Sequence, residues 1–79
     1  MRANRAYRLI VTRGGLAPAP LANTSRVDHI EIVAIDSGEA ILFWDRPPQV
    51  ASRMARMLRE EISQLEAEEF IERWAAVEE

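Results

Sequence analysis

Two apolar runs, Ile30 to Ile35 and Ala40 to Trp44, flank Asp36-Ser37-Gly38 near the middle of the chain. Short β-branched and aromatic runs on either side of a turn signal predict a β-hairpin. A three-residue loop closed by a residue with positive φ accounts for Gly38, since a side chain there would clash. That loop pairs Val33 with Ile41, Ile32 with Leu42, Glu31 with Phe43 and Ile30 with Trp44. A two-residue loop would set Asp36 against Glu39, a like-charge pair, and would mix the faces. In the favoured register one face is uncharged, with Ile30, Ile32, Ala34, Ala40, Leu42 and Trp44. The other carries Glu31, Val33, Ile35, Glu39, Ile41 and Phe43.

A helix is expected directly after the ribbon. Asp45 has the chemistry of an N-cap, and Pro47 and Pro48 suit a first turn whose N–H groups have no helical partner. From about Pro47 to Ser63, a period of about 100° per residue places Val50, Ala51, Met54, Ala55, Leu58, Ile62 and then Leu65 on one stripe. Arg53, Arg56, Arg59 and Glu60 fall opposite. The stripe and the uncharged face of the hairpin are natural partners in a two-layer core.

Beyond Leu65 the apolar positions Ala67, Phe70, Ile71, Trp74 and Val77 keep a helical period, but on an unbroken helix they would emerge on the arginine side. Ser63-Gln64-Leu65-Glu66 fits a capping box, which would start a new helix. Against a break, no glycine or proline occurs from Gln49 to Glu79. Either a segment from about Glu66 to Val77 folds back, or one long helix projects an apolar tip that a second chain must cover. Both readings bury Phe70, Ile71 and Trp74.

Upstream, Tyr7, Leu9 and Val11 alternate with Arg8, Ile10 and Thr12, a strand pattern. Beside the second strand it completes three antiparallel strands, the least that is independently stable with a helix on one face. A parallel position beside the third strand is the alternative. Residues 1–6 read as a flexible basic arm. Residues 14–27 read as a long Pro/Ala/Gly loop, suited to an extended arm that a partner would bind. The expectation is one small α+β domain over residues 1–79: a three-stranded antiparallel sheet (β-β-β), a long amphipathic helix and a C-terminal helical segment.

Composition narrows the class. Seventy-nine residues support one core with little stability to spare. The absence of cysteine excludes disulfides and thiolate metal sites, and suits a reducing compartment. All ten basic residues are arginine, the coding bias of a GC-rich bacterial genome. The net charge of -3 conceals a division: five arginines and one aspartate in residues 1–28, eight glutamates and one arginine in residues 60–79. No apolar run reaches the ~20 residues that cross a bilayer, and the N-terminus makes a poor signal peptide. A cytoplasmic location without membrane contact is therefore expected.

Candidate chemistry is sparse. His29, the single histidine, follows Asp28, and adjacent strand residues point to opposite faces, so the two do not face each other. Glu60, Glu61, Glu66, Glu68, Glu69 and Glu72 form an acidic helical surface without histidine partners, so neither metal nor cofactor is expected. The serines lie in no nucleophile elbow, and Gly14-Gly15 leads into Leu-Ala-Pro-Ala-Pro rather than a phosphate-cradling helix. The chain reads as non-enzymatic. One helix covers one sheet face, so Val33, Ile41 and Phe43, together with Phe70, Ile71 and Trp74, are the candidate interface of a homodimer. The expected function is a small interaction or accessory module that self-associates and binds a further, unidentified protein. Two alternatives stand beside it. One is a nucleic-acid-associated protein using Arg2, Arg5, Arg8, Arg53, Arg56 and Arg59, against which the acidic tail and a pI near 5.2 argue. The other is a binder of small apolar ligands between helix and sheet.

Overall fold

The computed structural model describes residues 1–14 and 27–77 and contains six elements. They are α1 (Ala3–Ala6), β1 (Tyr7–Thr12), β2 (Asp28–Ala34), β3 (Ala40–Arg46), α2 (Pro48–Gln64) and α3 (Ala67–Ala75). The strands form one antiparallel sheet in the order β1-β2-β3, which settles β1 beside β2. Most of the loop between β1 and β2, with its proline-alanine stretch, lies outside the described residues.

The hairpin register is the expected one along most of its length: Ile30 faces Trp44, Glu31 faces Phe43 and Ile32 faces Leu42. At the tip it departs. A bulge follows Ile32, so Val33 pairs with Ala40 and Ile41 becomes the extra residue. The loop is one residue longer than expected, because Ala34 already accepts from the Gly38 N–H (2.8 Å) and donates to the Glu39 carbonyl (2.9 Å). Gly38 has φ +74°, the left-handed conformation for which the turn requires glycine. A bulge leaves one residue unpaired and re-aims its side chain. Ile41 accordingly lines a cleft at the tip with Tyr7 and Ala34, residues of the helix-covered side, instead of standing in the row of Val33.

Asp45 does not cap α2. It stays in β3, and the flanking position belongs to Pro47 in an extended conformation with no side-chain cap. Pro48 opens the helix and the Ala51 N–H reaches the Pro47 carbonyl at 2.8 Å. Proline has no N–H, so fewer orphan donors remain and a carboxylate cap has less to satisfy. Ala51, Met54, Ala55, Leu58 and Ile62 form the buried stripe of α2, lying against Ile30, Ile32 and Trp44.

The fold-back reading is the one observed. Leu65 and Glu66 are extended (ψ 157° and 154°), and α3 returns across the same side of the sheet as α2. Phe70 is fully buried and stacks on Tyr7 at 6.3 Å, while Trp74 meets Trp44 edge-on at 6.0 Å. The capping box is not formed, since Ser63 remains inside α2 and donates to the Glu60 carbonyl. The break is held from elsewhere in the chain. Arg2 donates to the Gln64 carbonyl (2.7 Å), Ala3 N–H to the Leu65 carbonyl (2.9 Å) and Ala67 N–H to the Met1 carbonyl (2.8 Å). The Met1 ammonium lies 2.9 Å from a Glu66 carboxylate oxygen. These contacts satisfy carbonyls left over at the end of α2 and a donor left over at the start of α3.

The first residues are thus not a free arm. They form a short helical turn whose Ala3 is fully buried, and the Ala6 carbonyl accepts from Ile35 at 3.0 Å. Alanine at position 3 lets the backbone approach the joint closely enough for the hydrogen bond to Leu65.

Candidate functional site

Both helices lie on one side of the sheet, so the other side faces outward. Strand alternation decides its composition: Arg8, Ile10 and Thr12 from β1; His29, Glu31 and Val33 from β2; Phe43 and Asp45 from β3. Cross-strand pairing arranges them in rows. Ile10, Glu31 and Phe43 form the central row, Thr12, His29 and Asp45 the row nearest α2's entry, and Arg8 stands beside Val33 towards the hairpin tip. Ile10 is 38% exposed and Phe43 40%, with Val33 half-buried between its neighbours. The face thus sets Ile10, Val33 and Phe43 around the central Glu31, with Arg8 towards the tip and the His29–Asp45 pair towards α2's entry.

The sequence-derived interface residues divide. Val33 and Phe43 stand on the outward face, and Ile10, which the strand pattern placed there without attaching weight to it, joins them. Ile41 remains exposed but belongs to the tip cleft. Phe70 and Trp74 are buried in their own chain and Ile71 is partly buried against the same core, so they offer little surface to a second molecule.

His29 and Asp28 point to opposite faces of the sheet, as expected, and His29 finds its carboxylate on β3 instead. Its Nδ1 pairs with the Asp45 carboxylate across the hairpin, and its ring stacks on Phe43 at 5.6 Å. A carboxylate accepting from Nδ1–H leaves Nε2 as the free acceptor of the neutral ring. With Thr12 directly opposite His29 on β1, the row holds the residue types of a nucleophile, base and carboxylate relay. Thr12 and His29 share no hydrogen bond, and all three side chains lie on open sheet surface. A relay needs that bond and an enclosed reacting atom. The row instead stacks the His29 ring on Phe43, which stands on edge strand β3.

Asp28 is the buried charge that the sequence reading missed. It is 1% exposed and its carboxylate accepts the Gly14 N–H at 2.7 Å, joining the end of β1's extension to the start of β2. Position 28 alternates with Ile30 and Ile32 towards the helix layer, which was the available signal. Among the described residues no group of three or more histidine, cysteine, aspartate or glutamate side chains could hold a metal ion. No helix among them is long and apolar enough to cross a membrane.

The arginines do not form one track. Arg2 is held at the joint between α2 and α3, Arg8 stands on the outward sheet face, and Arg53 lines a groove beside α3. Arg56 and Arg59 lie on the other flank of α2 with Arg13 and Asp28, and Arg5 borders the tip cleft. A surface that follows a phosphate backbone requires contiguous cations.

The fold lowers the pKa of Glu66. The hydrogen bond from the N-terminal ammonium and then the charge of that ammonium hold its carboxyl below the usual value of 4.5, desolvation opposes them, and the Arg2 charge adds a smaller lowering. Compared with known protein families, curated proteins and solved structures, the chain matches none.

Proposed function

We propose that this chain is a small non-enzymatic interaction module that associates with a second copy of itself through the outward sheet face. The observation that supports the reading is a sheet that the described helices cover on one side only, which leaves the apolar side chains Ile10, Val33 and Phe43 around Glu31 on the other. Arg8 and Glu31 on the same face give it both signs of charge, which lets a self-complementary contact pair Arg8 of one copy with Glu31 of the other. Soluble proteins that keep such a patch commonly use it.

Size decides the strength. Three strands about 4.8 Å apart, each about six residues at ~3.3 Å, give a flat footprint on the order of 300 Å². A standard stable interface removes ~800 Å² of accessible surface per partner, so the association is weak and reversible. Sedimentation equilibrium tests this directly. A monomer–dimer equilibrium in the high micromolar range is expected, abolished by Phe43→Glu with an unchanged far-UV spectrum. A constant mass of 9.0 kDa throughout that range would refute it.

A further inference from the structure

Three of the large exposed apolar side chains gather off the outward sheet face, at a groove between α2, α3 and the end of β3. Val50 is 42% exposed, Met57 46% and Val77 41%, and the three line an opening of about 410 Å³ whose floor is Met54 and Trp74. Helical spacing explains the gathering, since Val50, Met54 and Met57 lie at i, i+4 and i+7 along one flank of α2. The Trp44 indole donates to the Val77 carbonyl at 3.1 Å and so holds the end of α3 over this opening.

The rim is cationic. Arg46, Arg53 and Arg73 border the groove and Glu61 is its carboxylate. One Glu61 oxygen already takes the Trp74 indole N–H and the Arg73 guanidinium, each at 3.0 Å. Arg53, by contrast, has no hydrogen-bonding or ionic partner among the described residues. An apolar floor with a few polar groups on one side is the usual composition of a small-molecule site, and the volume falls in the usual range for one. Two methionines make the walls adaptable to a flexible chain.

We propose that this groove binds a single-chain amphiphile with an anionic head, of the medium-chain carboxylate class. The alkyl chain lies over Met54, Met57 and Trp74, and the head sits against Arg53 at the rim. If each carbon takes up roughly the ~30 Å³ share of a liquid water molecule, the groove admits a chain on the order of ten carbons. The outward sheet face contributes none of the groove's lining residues, so the site is independent of self-association.

Isothermal titration of the full chain with sodium decanoate, below its micellar concentration, tests the assignment, with octanoate and decyltrimethylammonium as companion probes. Saturable one-to-one binding of decanoate is expected, about tenfold tighter than octanoate because each methylene contributes a factor of three to four. Decanoate should also bind at least tenfold tighter than the cationic probe. Met57→Glu, at an exposed position, should weaken decanoate at least tenfold, and Arg53→Ala should reduce the preference for the anion. Phe43→Glu should leave binding unchanged, which separates a failure here from a failure of the dimer. Non-saturable binding, equal affinity for both head groups, or an unaltered titration of Met57→Glu would overturn the proposal. So would a loss of self-association in Met57→Glu, which would make the groove a contact between copies, or tighter capture of an acidic amphipathic peptide than of decanoate.

Discussion

Replacing Phe70 by alanine asks whether α3 belongs to the fold or only rests near it. The side chain is fully buried in a cluster with Ala3, Leu58 and Ile62, and its ring stacks on Tyr7 at 6.3 Å. Truncating a buried phenylalanine costs about 3 to 5 kcal/mol, through lost transfer energy and the cavity left behind. A domain of 79 residues at roughly 0.05 to 0.15 kcal/mol per residue has about 4 to 12 kcal/mol in all, so the variant loses a large share of its stability. With a urea m-value of about 1 kcal/mol/M for a protein this small, the midpoint should fall by about 3 M or more. Urea unfolding followed by far-UV circular dichroism, with Arg56→Ala as the exposed comparison, measures it; the comparison should stay within about 0.5 kcal/mol. A cycle with Tyr7→Ala should return a coupling of about 0.5 to 1.5 kcal/mol for the ring pair. A loss below about 1 kcal/mol for Phe70→Ala would mean that α3 is not docked on its own core. A change in oligomeric state without loss of stability would revive the reading in which a second chain covers this segment.

Three further outcomes follow from single features. Gly38→Ala meets no atom within 4 Å, so its cost is conformational alone, about 1 kcal/mol from φ +74° in a residue with a side chain; a neutral result in denaturant titration would contradict the turn. Asp28→Ala removes the buried acceptor of the Gly14 N–H and should destabilise by about 1 to 3 kcal/mol, with Asp28→Asn milder; an effect under ~0.5 kcal/mol would show that the bond does not contribute. The folded-state pKa of Glu66 lies below its unfolded value, so the pair with the Met1 ammonium stabilises above the unfolded value and that contribution disappears as pH falls through the lowered folded one. Carboxyl-carbon NMR titration should place Glu66 below 4.5 and return it to the ordinary range when the N-terminus is acetylated; a titration identical in both forms would refute the contact.

What the sequence made legible was whatever repeats with a period. Alternation set the pairs Ile30–Trp44, Glu31–Phe43 and Ile32–Leu42, and the 3.6-residue period found the buried stripe of α2, because in each case many positions vote for one face. Single-residue events escaped it. An extra residue at Ile41 leaves no trace in composition, yet it removed one member of the expected interface row. Asp45 has the chemistry of a cap, but two prolines had reduced the need for one and left its carboxylate to His29. The choice between a bent and a straight C-terminal helix could not be read locally either. What holds the bend is the Met1 to Ala3 segment, more than sixty positions away in the chain, as the separations of 62 and 65 residues in its two side-chain contacts show. The outward sheet face was legible in kind, and the groove beside α3 was not, since it exists only once α3 has folded back.

That clasp between Met1–Ala3 and Gln64–Ala67 has a consequence for how the molecule comes into being. During synthesis Met1 to Ala3 emerge long before their counterparts do, and must wait with Ala3 uncovered until the stretch around position 67 has left the ribosome. Ribbon and main helix can gather through neighbours close in the chain, whereas the clasp joins segments more than sixty positions apart, a contact that carries a larger loop-closure cost. An affinity tag fused ahead of Met1 would take its ammonium from Glu66 and crowd the joint between α2 and α3.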